Sequence, residues 1–122
     1  MARHKSTAQV TIANGTSLSS AVGLGEKTLI GIIVSAAWTA ADLTFQASED
    51  AGVTWLNVFD QAGVELKIAT AGVVAGQRVS IDPTPFIGID MLKIRSGTNA
   101  APVNQGAART LTLISRKIYS SD

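Results

Sequence analysis

Side chains able to carry out chemistry are few and scattered in this chain. The only histidine is His4, close to an end of the sequence, where chains are commonly loosely held. A general base must stand within hydrogen-bond reach of the group it serves, so no Ser-His-Asp arrangement can be read here. Zinc wants cysteine or several histidines, and the chain has no cysteine. Gly23-Leu24-Gly25 is not followed by a helical pattern, so it is no dinucleotide loop, and no phosphate-binding lysine motif occurs. Glu49 and Asp50 are adjacent in a turn-like stretch. Calcium needs about six to eight oxygens, and the spacing supplies no such set. Glycoside hydrolysis needs two opposed carboxylates, and nothing selects a pair. The expectation is a protein that is not an enzyme, with no catalytic residue, no metal ligand and no cofactor.

The aromatic residues make up 5 % of the chain: Trp38, Trp55, Phe45, Phe59, Phe86 and Tyr119. Phe45 falls in an alternating apolar register and reads as core. Trp55 and Phe59 read as sharing one strand face with Asn57 between them. Trp38 reads as a plug at one end of the fold. With so few large apolar groups, core packing is favoured over ligand stacking for both tryptophans. Basic residues gather late, at Lys93, Arg95, Arg109, Arg116 and Lys117. Lys93 and Arg95 are two apart and project from the same strand face. That face is either solvated or a patch that meets an acidic partner. Arg3 and Lys5 could serve the same purpose from the start of the chain.

The elements that would position these residues read as strands. Turn signals recur every ~8–12 residues, as in a sandwich or barrel. Asn14-Gly15 offers the two positive-φ positions of a type I′ hairpin turn, between Val10–Ile12 and Leu18–Val22. Leu43–Ser48 and Val64–Ile68 alternate apolar and polar, as half-buried strands do. Val53–Phe59 and Arg78–Ile81 read as further strands, the second stopped by Pro83 and Pro85. Ile89–Arg95 puts Leu92 and Ile94 on one face and Met91, Lys93 and Arg95 on the other. Ser96–Ala108 reads as a polar loop, and the last strand begins at Thr110. Ala36–Ala41 and Gly106–Ala108 could each form one helical turn.

Thr28–Ser35 is apolar on both faces. Such a strand is either central or lies in an interface. In the second case Ile30, Ile32 and Val34 form an exposed patch that marks association. The fold class expected is all-β: an antiparallel, jelly-roll-like β-sandwich of about eight or nine strands. It is a single domain over residues 8–119, with a flexible basic arm at 1–7 and a tail at 120–122.

Composition narrows the partners. Ten Lys+Arg against nine Asp+Glu give a net charge of +1, which is no nucleic-acid footprint. Charged residues are 16 % of the chain, against roughly 25 % in ordinary domains. A surface poor in charge is weakly protected against association. It reflects either an alanine-rich stable fold or a surface covered by partners. The longest apolar run, Leu29–Trp38, is about half a membrane span, and no apolar segment of a signal peptide follows the basic start. A soluble protein outside the secretory route, with no membrane contact, is expected.

Two resemblances add to this reading. Leu43–Trp55 resembles the strand–turn–strand of discoidin-type, galactose-binding-like sandwiches, which runs Ser-x-Asp-Gly-x-x-Trp; here Ala51 is inserted between Asp50 and Gly52. Met91-Leu92-Lys93-Ile94-Arg95 is similar to their later strand ending in arginine. The resemblance implies a jelly-roll-like fold. It does not extend to the disulfide or the ligand loops of that family. The chain from Val10 to Leu113 also resembles small proteins encoded among the virion genes of tailed bacteriophages. The stretches that carry this are Thr11–Gly15, Ala36–Ser48 and Leu92–Thr98.

This second resemblance implies a virion component made in the host cytoplasm, foremost a capsid decoration (cement) protein. Its partners would be the major capsid protein or other virion proteins and further copies of itself, with a trimer favoured. The residues expected to meet partners are Arg3, Lys5, Ile30, Ile32, Val34, Lys93 and Arg95. The alternative is a carbohydrate-binding or adaptor module of a tail fibre, baseplate or neck.

Overall fold

The computed structural model describes residues 5–34, 37–68 and 76–117. Among the described residues eight strands follow one another: β1 (Lys5–Ile12), β2 (Val22–Gly23), β3 (Thr28–Ile33), β4 (Leu43–Ser48), β5 (Leu56–Asn57), β6 (Arg78–Ser80), β7 (Met91–Ser96) and β8 (Arg109–Arg116). They form two four-stranded sheets, ordered β1-β8-β3-β6 and β2-β7-β4-β5. The first strand pairs with the last, the second with the seventh, the third with the sixth and the fourth with the fifth, all antiparallel. β3·β8 and β4·β7 complete the sheets. This nested order is that of a ribbon doubled on itself and rolled into two layers, the jelly roll. The expected antiparallel sandwich is therefore the fold observed.

Period-2 alternation builds the core between the sheets. Val10, Ile12, Leu29, Ile32, Leu111 and Leu113 face inward from one sheet, and Leu43, Phe45, Leu92 and Ile94 from the other. Phe45 meets Phe86 edge to face, with ring centroids 5.0 Å apart at 82°. Phe86 comes from a 3-10 turn at Thr84–Phe86, which Pro83 and Pro85 open after β6 has ended. The two stretches expected to give helical turns are not helical over 37–41 and 106–108.

β3 corrects one expectation. Its pairing with β8 shifts between Leu29, opposite Ser115, and Gly31, opposite Ile114. Ile30 is the extra residue of a β-bulge, which changes the phase of the side chains. Leu29 and Ile32, three apart, both enter the core. Ile32 and Val34 are 0 % exposed and only Ile30 remains half-buried, so these three residues do not make an outward apolar face. β3 is a central strand between β8 and β6.

The first hairpin differs as well. Thr16 N–H donates to Ala13 O at 3.0 Å across Asn14-Gly15. Gly15 has φ 78°, whereas Asn14 is not among the residues at positive φ. One glycine at the third position of the turn suits type II rather than type I′. Beyond it the chain does not run as one strand. Ser19 bridges Ile12 while Leu18 bridges Arg95, so the segment steps from one sheet to the other. At the start of the chain, Lys5 already pairs with Arg116 in β1. The expected flexible arm thus does not reach residue 7. Arg3 and the expected tail at 120–122 lie outside the described residues.

Candidate interaction surface

β4 and β5 are joined by a turn whose polar groups are satisfied locally. The Ser48 hydroxyl donates to Asp50 Oδ1 at 2.8 Å and accepts the Gly52 N–H at 2.8 Å. Asp50 Oδ1 also accepts the Thr54 N–H at 2.8 Å. The Thr54 backbone N–H, foremost, with the Thr54 and Ser48 side chains, holds the Asp50 carboxyl below its ordinary range. Ala51 (φ 59°) and Gly52 (φ 89°) both take left-handed backbone here. Two successive residues of this kind make the turn tight enough to bring Trp55 Nε1 to Gly52 O at 3.0 Å.

Past the turn, β5 is only two residues long, not the seven-residue strand expected at Val53–Phe59. The chain then doubles back: Phe59 bridges Glu65, and Asp60 Oδ1 accepts the N–H groups of Ala62 and Val64 at 2.8 and 3.0 Å. This hairpin continues the β4 edge, with the Val58 N–H on Phe45 O and Val58 and Leu66 packed against the core. Its Asn57 and Glu65 side chains reach the outward face of β4 and β7, where Thr44, Gln46, Lys93 and Arg95 stand opposite one another in register. Leu43 bridges Ile68, which ties the hairpin's return to β4.

The consequence for Arg95 overturns the reading of a solvated face. Its Nη1 lies 3.2 Å from Glu65 Oε2 and 3.3 Å from Thr44 Oγ1, and its Nη2 donates to Asn57 Oδ1 at 2.6 Å. Glu65 in turn accepts the Asn99 N–H at 3.1 Å. Arg95 is 6 % exposed, so this guanidinium is a buried clamp with no face turned outward. Lys93 shares its strand face and remains half-exposed, with Nζ 4.5 Å from the centroid of the Trp55 ring. Trp55 accordingly packs on the outside of the sheet rather than in the core. Trp38 does pack against the core as expected, although its Nε1 is buried without a hydrogen-bond partner.

Other late basic residues are also engaged within the chain. Arg109 donates to Gln105 Oε1 at 3.2 Å and to Thr39 Oγ1 at 3.3 Å. Gln105, inside the expected polar loop, is almost fully buried and further binds Thr39 and Ser96. Lys117 pairs with Glu26 at 3.1 Å. Lys5 and Arg116 are exposed at one end of their sheet.

The feature that sequence reasoning missed is a set of unsheltered apolar side chains. Val53, Leu56, Phe59 and Val64 are between 51 and 81 % exposed. They are four of the five large apolar residues that the described structure exposes, the fifth being Ile87. All four lie between Val53 and Val64, in β5, the turn before it and the hairpin after it. The sequence held a faint signal: these apolar residues crowd around two turns. Reading them as one regular strand hid this.

The Arg95 clamp beneath and the Asp50 and Asp60 turns at either end fix the geometry of the segment. Apolar side chains held on such a segment cost little ordering entropy to bind. Among the described residues, no group of three or more His, Cys, Asp or Glu could hold a metal ion. Nor is any helix long and apolar enough to cross a membrane. No family model matches the chain, and no curated protein matches it in sequence.

Proposed function

We propose that this protein is a structural component of a bacteriophage particle. In this reading it is a capsid decoration protein that binds the outer shell and bridges neighbouring subunits. The observation that carries the reading is the exposure of Val53, Leu56, Phe59 and Val64, none of which belongs to the core. Solvated apolar side chains concentrated on one edge mark an interaction site. A charge content of 16 % leaves little to oppose association elsewhere on the surface. The resemblance to virion proteins supplies the choice of the capsid as partner.

Attachment works by several modest contacts whose effective concentration makes the sum tight. The β5 segment is the main one, and Lys5 at the other flank adds a basic contact. Several copies acting together strengthen it. A carbohydrate-binding role is less well supported, because Lys93 covers one face of the Trp55 ring on which a sugar would stack.

Cosedimentation with phage shells that lack the protein tests the proposal. Saturable binding and a raised shell melting temperature are expected. Failure to bind any shell, together with specific binding on a glycan array, would replace this reading with the carbohydrate one.

A further inference from the structure

The four sheet edges are not alike. β2 and β5 are two residues long and β6 is three, whereas β1 is an eight-residue strand. Long unpaired edges invite further strands, and proteins blunt them with charge, proline or bulges. β1 has no proline, its register against β8 is unbroken, and its one charge is Lys5 at its end.

The direction of its backbone groups follows from its neighbours. The Thr11 N–H donates to Ser20 Oγ at 3.2 Å, and Thr11 O accepts the Ser20 N–H at 3.0 Å. Thr11 therefore points its backbone away from β8. Period-2 alternation carries the same direction to Gln9, Thr7 and Lys5. All three are exposed, and none is engaged by another described strand on this side.

We propose that a second copy of this chain pairs with β1, antiparallel, about a two-fold axis through Thr7. A two-fold axis at Thr7 engages all three open residues of the row with no like charges opposed, which favours a second copy in this register. With Thr7 facing Thr7 of the second copy, Lys5 faces Gln9 and Gln9 faces Lys5. All three open residues of each copy then exchange backbone bonds, and no like charges stand opposite. Centring on Lys5 would oppose two lysines, which is unfavourable across strands. Centring on Gln9 would demand the Thr11 groups that Ser20 already holds. The result is one continuous sheet, β6-β3-β8-β1-β1-β8-β3-β6. Two-fold pairing of this kind is a closed, isologous interface.

This inference rests on strand geometry and not on the virion reading, so its test needs no particle. In a hydrogen-bonded antiparallel pair the Cα atoms are about 5.5 Å apart, inside the range of roughly 4.4–6.8 Å that a disulfide spans. Lys5 would lie about 14 Å from Lys5 of the second copy, four residues of strand rise away. In a chain without cysteine, Thr7→Cys under oxidised glutathione should close a homodimeric disulfide at least roughly tenfold faster than Lys5→Cys.

Light scattering on the wild type at tens of micromolar should report a dimer. Thr7→Pro, which removes an outward N–H and no bond to β8, should report a folded monomer by circular dichroism. Gln9→Lys should weaken the dimer, and adding Lys5→Glu should restore it. A wild-type monomer or trimer, or equal cross-linking at positions 5 and 7, would overturn the proposal. Dimerisation only on adding another protein's extended segment would assign the edge to that protein instead.

Discussion

β1 closes one sheet and β5 the other, at opposite flanks of the sandwich, and both are edges. β1 is long and regular, and its apolar side chains Val10 and Ile12 are turned into the core. What it leaves open is backbone. β5 is short and runs on into the 58–66 hairpin, and what it leaves open is side chains. A backbone edge recognises any strand of suitable register, a copy of itself included. An apolar side-chain surface recognises shape. On the two proposals above, self-association and partner binding fall on different flanks, and each flank can be altered without touching the other.

The largest effect should come from the core that both flanks share. Phe45 is fully buried against Phe86, so Phe45→Ala is expected to cost ~3–5 kcal/mol in denaturant melts. Both flanks should lose protection together. A loss below ~1 kcal/mol would show that the centre of the sandwich is not packed as described.

Glu65→Ala should divide the flanks. Removing one member of a buried ion pair leaves the other charge uncompensated, at about 3 kcal/mol. Here Arg95 is the residue left without its carboxylate. Hydrogen exchange should accelerate over 56–66 while the β1 amides keep their protection. Replacing both members, with Arg95→Met and Glu65→Leu, should recover most of the stability. Equal acceleration at β1 would mean that the clamp supports the whole fold rather than one flank.

The smallest effect concerns Asp50 in the turn that begins the exposed segment. Its carboxyl is held below the ordinary value of 3.8, mainly by the Thr54 N–H. A lowered folded value means that the ionised carboxylate favours the turn above the unfolded value. That contribution fades as pH falls through the lower, folded value. An NMR titration of the Asp50 carboxyl should therefore have its midpoint below 3.8, and the amides of 52–54 should shift with it. A midpoint at or above 3.8 would remove the Thr54 contact from the account.

The elements legible in the sequence were those with clean alternation. Leu43–Ser48 and the strand through Leu92 and Ile94 were read with their inward faces correct, because one sheet face packs on the core and period 2 records it. The double apolar face of Thr28–Ser35 was visible, but its cause was not. A bulge adds one residue and reverses the phase, and nothing local in Leu29-Ile30-Gly31 announces it. The burial of Arg95 was hidden for a different reason. Its partners Glu65, Asn57 and Thr44 are about thirty to fifty residues away, so only the roll of the chain brings them together. Gln105 was lost among small polar neighbours, where composition favours a solvated loop. The exposed segment at β5 went unrecognised because Val53–Phe59 was read as one regular strand, and an apolar residue in a strand is most often inside.

Particle binding by the flank variants tests the central claim, that the protein attaches through the β5 side-chain surface. Leu56→Lys places a charge on an exposed position and should leave the fold and the β1 pairing intact. It should reduce binding to decoration-free shells by at least roughly a hundredfold, as expected of an anchor at the centre of an interface. Thr7→Pro should reduce binding only through lost avidity. If Leu56→Lys bound shells as tightly as the wild type, the β5 surface would not be the site of attachment.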